Sequence, residues 1–211
     1  MNGRLNLFFD WKAMGINAYL PLLILVLSVW AGRYFSTNQL LPMLEAMLPA
    51  FAAWWSIFLF QDLLEEPGGE TIFSYPISRL QLGLFRVLFF LAGYLLFLLA
   101  SIALIDVWFP EFVTASLFLQ FATQSIFFAG LGYASVVLFR NCGWSLVVLI
   151  LYSCTQIFTK GELFPYVNVY LFNDRVLPIS AFASRSVTTF LCGVLLLTLG
   201  QILLNRQNRF H

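Results

Sequence analysis

Four of the chain's ten acidic residues, Asp62, Glu65, Glu66 and Glu70, crowd into nine consecutive positions. Clustered carboxylates do acid–base work, hold a metal ion, or face basic groups on another molecule. The first two uses need company that the sequence lacks. The single histidine is His211. The three cysteines, Cys142, Cys154 and Cys192, are scattered in or beside apolar runs, with no CxxC, HExxH or His–Cys cluster. They read as buried structural thiols. Glu65-Glu66 and the stretch Gly130-Leu131-Gly132-Tyr133-Ala134-Ser135 superficially suit an intramembrane protease. That chemistry needs a histidine beside the reacting group, and no apolar run contains one. No GxxxxGK[ST] loop is present, so the chain has no phosphate cradle of that type. Gly130 and Gly132, with Ala129 and Ala134, read instead as a close helix contact. The sequence thus predicts no catalytic residue, no metal site and no cofactor of its own.

Polar side chains also interrupt the apolar runs. Ser116, Gln120, Thr123, Gln124 and Ser135 share one stripe: at about 100° per residue, all lie within about 60° of Gln120. Glutamines are costly in hydrocarbon, so the stripe faces protein or a wet cavity. Two readings fit: a lining of a transport path, or interhelical hydrogen bonds worth about 0.6–2 kcal/mol each. Glu45 lies a turn or two into another run. It reads as an interfacial acid reaching water, or as an ion-pair partner of Arg33 or Arg185 that tethers an external gate. Tyr152-Ser153-Cys154-Thr155-Gln156 forms a further polar patch.

The elements that position these residues follow from composition. Hydrophobic residues make up 61% and charged residues 10%, with mean hydropathy +0.86. A soluble domain has roughly 45–50% apolar and about 25% charged residues. The chain therefore reads as an all-α integral membrane protein in a lipid bilayer. Its net charge of +1 excludes nucleic-acid binding by charge. Runs near the ~20 residues that span a bilayer lie at 16–31, 39–60, 84–105, 113–139, 144–158 and 187–204. Six spans put both termini on one side. With them inside, the cytoplasmic cations are Arg4, Lys12, Arg79, Arg86, Arg140, Arg206 and Arg209. The external ones are Arg33, Lys160, Arg175 and Arg185, seven against four of the 11 Lys+Arg. That bias predicts cytoplasmic termini in the plasma membrane. The first run is followed by Arg33-Tyr34-Phe35, not by a signal-peptide cleavage site. Before it, Leu5, Phe8 and Trp11 fall at i, i+3 spacing, as in a short interfacial helix. Two loops are long: a cytoplasmic one at 61–81, and an external one at 159–186 whose apolar patches predict short re-entrant helices.

The cytoplasmic loop carries the most information. Pro67-Gly68-Gly69 breaks any helix continuing from the second run. Ile72, Phe73, Ile77 and Leu80 follow as apolar anchors. Anionic lipid would repel the acids, so this loop reads as facing a protein with basic groups. Glu65, then Glu70-Thr71-Ile72-Phe73-Ser74-Tyr75-Pro76-Ile77-Ser78-Arg79, resembles the segment before the third helix of type 2 ATP-binding cassette exporter permeases, the ABC-2 family. Glu65, Glu70, Pro76, Ser78 and Arg79 fall on that family's pattern. The chain departs at Pro67-Gly68, where the family has Gly-Thr. The six-run layout, the interfacial N-terminal stretch and the apolar external segment are similar to the same family.

The resemblance implies a single permease domain over 1–211, with the loop as a coupling helix seated on a separate ATPase subunit. Glu65, Glu66, Glu70, Thr71, Phe73, Pro76, Ser78 and Arg79 then form the coupling surface. It also implies ATP and Mg on that partner chain, and pairing with a second copy or a related permease. The cargo expected from 24 phenylalanines and a weakly polar stripe is hydrophobic, amphipathic or peptide-like. The competing expectation is a membrane scaffold or immunity-type factor that acts by binding alone.

Overall fold

The computed structural model describes residues 7–65, 78–108, 113–163, 165–173 and 175–206. Among these the chain is all-helical, with no strand. Helix α1 spans Leu7–Ala13 and a 3-10 turn follows at Gly15–Ala18. Then come α2 (Leu20–Ala31), α3 (Thr37–Phe58) and the short α4 (Gln61–Leu64). A π-helical turn, Gln81–Phe85, runs directly into α5 (Arg86–Trp108). Helices α6 (Thr114–Phe139) and α7 (Cys142–Phe158) lead through a 3-10 turn at Pro165–Val167 to α8 (Ile179–Arg206).

Among the described residues, four helices are long and apolar enough to cross a membrane: α3, α5 with its π-turn, α6 and α8. The other two apolar helices, α2 and α7, have 12 and 17 residues. At 1.5 Å per residue they are about 18 and 26 Å long, against about 30 Å of hydrocarbon. The first apolar run is divided because its helix restarts after the 3-10 turn, with Pro21 in the first turn of α2. Helix α8 starts at Ile179, eight residues before the apolar run at 187–204. Its first two turns hold Ser180, Ser184, Arg185 and Ser186. A search for apolar stretches passes over such an amphipathic beginning.

The bundle is built around α6. In its most apolar window 83% of residues are buried, against 39% for α5 and 33% for α8. So α6 is the core strut, and α5 and α8 turn apolar faces outward. Small residues allow this packing. A Cβ on Gly193 of α8 would lie 2.8 Å from the Phe127 nitrogen of α6, and one on Gly130 would lie 2.7 Å from the Gly193 carbonyl. Backbone meets backbone there, as the small residues around Gly130 suggested. On the other flank of α6, Gly132 lies against Ala53 of α3.

Helix α1 exposes Phe8 and Phe9 and buries Asp10. Trp11 stacks on Phe90 of α5, with ring centroids 6.2 Å apart and planes 10° from parallel. Helix α1 thus turns Phe8 and Phe9 outward, while Trp11, which the i, i+3 spacing aligned with Phe8, packs inward on α5.

Candidate functional site

The best-defined polar site is a knot around Glu45. Glu45 sits eight residues into α3, about 12 Å along its axis. The residue is 3% exposed. Four N–H groups converge on its carboxylate. Gln120 Nε2 donates to Oε1 at 3.0 Å and Gln124 Nε2 at 2.8 Å. The Leu171 N–H donates to Oε1 at 2.6 Å and the Phe172 N–H to Oε2 at 3.0 Å. Pro49, four residues on, has no N–H to give the Glu45 carbonyl, so α3 is locally weakened just where it carries the acid.

Residues 168–173 are irregular, yet they lie deep against the bundle with Val169 and Tyr170 buried. Irregular backbone at such depth must have its polar groups satisfied. The side chains around it do this. The Val169 carbonyl accepts from Gln124 Nε2 at 2.9 Å. The Tyr170 N–H donates to Asn168 Oδ1 at 2.9 Å, and Tyr152 Oη donates to the Val167 carbonyl at 2.6 Å. Phe172 has φ 55°, a left-handed conformation that a bulky side chain avoids. Its bond to Glu45 holds it there. Burial pushes the Tyr170 phenol up to about 12, so it stays neutral.

The glutamine stripe therefore points at protein, and Gln124 bridges α3 and the irregular segment. The other members differ. Thr123 Oγ1 turns back to the Leu119 and Gln120 carbonyls of its own helix, and Ser116 Oγ donates to the Leu177 carbonyl. Ser135 is buried further along α6. Both expected uses of Glu45 need correction. It is not an acid reaching water, and among the described residues neither Arg33 nor Arg185 pairs with it. Arg33 lies over the Trp108 ring, 5.3 Å from its centroid. Four dipolar donors satisfy the carboxylate without the cost of burying a second charge.

A cleft of about 350 Å³ opens beside this knot, between 165–169, α6 and α8. A recess of about 10 Å³, lined by Gln120, Thr123 and Gln124, shares Val169, Arg185 and Thr189 with it.

The opposite end of the bundle holds a second network. Among the expected coupling residues, Glu66, Glu70, Thr71, Phe73 and Pro76 lie outside the described residues. Glu65, Ser78 and Arg79 flank them. Glu65 Oε1 accepts the N–H of Cys142, the first residue of α7. A carboxylate is stabilised at such a helix N-terminus. Ser78 Oγ accepts the Gln81 N–H at 3.3 Å, as a cap does. Arg79 Nη1 donates to the Asn205 carbonyl of α8 at 2.7 Å. Gln201 of α8 accepts from the Leu84 N–H at 2.9 Å and from Tyr133 Oη at 3.0 Å. Its Nε2 donates to the Arg79 carbonyl at 3.3 Å.

One buried ion pair escaped the residue-by-residue reading. Arg86 Nε and Nη2 grip Asp10 Oδ2 and Oδ1 at 2.9 and 2.7 Å, and Nη2 also donates to the Leu59 carbonyl at 3.2 Å. The pair locks α1 to the end of α3 and the start of α5. An arginine inside the apolar run at 84–105 was the available signal, since charges at such depth are paired. Gln201, in the last run, gave the same kind of signal. The cysteines divide: Cys142 is buried, Cys192 half-buried and Cys154 exposed. Cys154 departs from the expectation because its side of α7 turns outward.

The chain matches no family model, no curated protein and no solved structure.

Proposed function

We propose that this chain is the membrane permease subunit of an ATP-binding cassette exporter of the ABC-2 type. In this reading the loop through 66–77 is the surface on which a separate ATPase subunit presses. The observation that supports it most is the anchoring of both flanks of that loop. Glu65 is bound to the start of α7, and Arg79 to the end of α8. The π-turn that follows is bound, through Gln201, to α8 and through it to Tyr133 of α6. A push on the loop thus reaches three helices by hydrogen bonds, while the Asp10–Arg86 pair keeps α1 with the base of α3 and α5. A connecting loop with no mechanical task has no need of such ties.

The same reading takes α2 and α7 as spans with the four longer helices. Tilt and the 3-10 turn before α2 lengthen the shorter path, and local bilayer thinning accommodates the rest. Six spans in one chain make half a pathway, so a second copy or a related permease completes it. ATP and Mg belong to the partner ATPase. The positive-inside bias places the termini and the 66–77 loop in the cytoplasm. The outward apolar faces of α5 and α8 suit lipid and a paired permease. The cargo is hydrophobic, amphipathic or peptide-like.

The test is co-purification of this chain with an ATP-binding cassette ATPase co-expressed from its host, combined with stimulated ATP turnover. Phe73→Ala weakens docking by about 1–3 kcal/mol if it is a hot spot. Glu70→Lys weakens it more at low salt, because exposed charges are screened over about 8 Å at physiological ionic strength. Both variants still insert and pair. Wild-type docking and turnover in both would remove the loop from the transmission, and the permease reading with it.

A further inference from the structure

We propose that the cleft between 165–169, α6 and α8 binds an amphiphile with an anionic head group. This deepens the permease reading by naming a cargo class, and it rests on that reading only for the step from binding to transport. The cleft is two-sided in chemistry. Phe127, Val167 and Cys192 offer apolar surface, and Arg185, Ser184 and Asn168 offer hydrogen-bond donors.

Arg185 is exposed, and among the described residues nothing accepts a hydrogen bond from it or pairs with its charge. Among the described residues lining the cleft there is no carboxylate. A guanidinium presents a planar fork suited to phosphate or carboxylate. Asn168 spends its Oδ1 on the Tyr170 N–H, which leaves its amide Nδ2 as a donor. The neighbouring Glu45 lines neither the cleft nor the recess, and the four N–H dipoles aimed at its oxygens weaken its field there without cancelling it.

A second, independent observation lies at the inner end. Gln124 is 2% exposed and lines the recess that shares Arg185 with the cleft. Its Nε2 is used twice, on Glu45 and Val169, while its Oε1 is buried with no partner. An unpaired buried acceptor costs free energy. The hydroxyl of a phosphate monoester, or of a glycerol head group, supplies the missing donor. The volume of about 350 Å³ takes a head group and the first part of a chain, with the rest lying along the outward apolar face of α8.

The experiment measures radiolabelled dodecyl phosphate bound by the full chain in phosphatidylcholine nanodiscs, with empty discs as background. Saturable binding is expected for the wild type. Arg185→Gln weakens it about tenfold or more, the scale of a charge-assisted hydrogen bond. Arg185→Lys recovers part of the loss. Val167→Glu, which places a carboxylate on the exposed cleft wall, weakens binding by a second route. Dodecanol, with the same chain and no charge, does not compete. Phosphatidylglycerol added to the discs separates two sources of the same head-group chemistry: displacement of the probe assigns the occupant to bilayer lipid, and no displacement assigns it to a single-chain amphiphile. Equal binding of dodecanol, or binding unchanged by Arg185→Gln and Val167→Glu, overturns the proposal. No ATPase is needed in this assay. Binding without ATPase-driven transport therefore discards the permease reading and keeps the site, and transport without binding does the reverse.

Discussion

At the scale of single residues, Glu45 decides how its end of the bundle is closed. A buried carboxylate with four N–H donors organises its surroundings, because each donor would otherwise be desolvated and unpaired. Glu45→Gln keeps the shape and removes the charge. It also replaces one acceptor oxygen with an NH₂ that faces a donor. We expect a loss of about 1–3 kcal/mol for each donor left unsatisfied. The measurement is amide hydrogen exchange at Leu171 and Phe172, together with thermal unfolding in detergent. Exchange at both amides should rise by an order of magnitude or more. Unchanged exchange would show that the irregular segment is held by something other than this acid. The strain at Phe172 makes the expectation sharper: a left-handed aromatic residue has little reason to stay in place once its tether is cut.

At the scale of elements, two contacts set how helices sit together. The first is the Asp10–Arg86 pair between α1 and α5, with both side chains below a tenth exposed. Asp10→Ala leaves a buried guanidinium without its anion, which costs about 3–5 kcal/mol. Replacing both partners with apolar residues, Asp10→Ala with Arg86→Met, should recover most of that loss. Thermal unfolding of the single and double variants checks this, and a double variant as weak as the single would mean that Arg86 acts mainly through the Leu59 carbonyl. The second contact is the Gly130–Gly193 crossing of α6 and α8. Gly193→Ala forces a methyl group against backbone atoms that cannot swing away, with an expected cost of about 1–3 kcal/mol. The same substitution at Gly93, where nothing lies within 4 Å, is the control and should be neutral or slightly stabilising.

At the scale of the whole molecule, two polar networks occupy opposite ends of an apolar bundle with α6 running between them. The knot around Glu45 lies toward the start of α6, and Tyr133 with Gln201 lies toward its end. In the permease reading proposed above, α6 is the strut that carries movement from one network to the other. The orientation behind this picture is open to direct measurement. A reporter fused after Arg209 should read cytoplasmic, and one inserted at 159–163 should read external. Both on the same side would require an even number of crossings between those points, so that α8 does not cross as a single span, and would overturn the six-span layout.

The all-helical class and the placement of most apolar helices were legible in the sequence, because apolarity and helix length are local properties read along the chain. The runs at 39–60, 113–139 and 144–158 fall on α3, α6 and α7 within two residues at each end. The stripe on α6 was legible for the same reason, since helical period alone aligns Gln120 with Gln124. What those glutamines face was not legible. Gln120 and Gln124 meet a carboxylate 75 and 79 residues away, and that carboxylate takes backbone N–H groups 126 and 127 residues away. No pattern within one helix encodes such a meeting. The sequence left Glu45 as an interfacial acid reaching water or as a partner of Arg33 or Arg185, because water and an opposite charge are the simplest ways to satisfy an acid. Only the tertiary structure decided otherwise, since the irregular segment brings unpaired N–H groups to the same depth and those groups need an acceptor more than the arginines do.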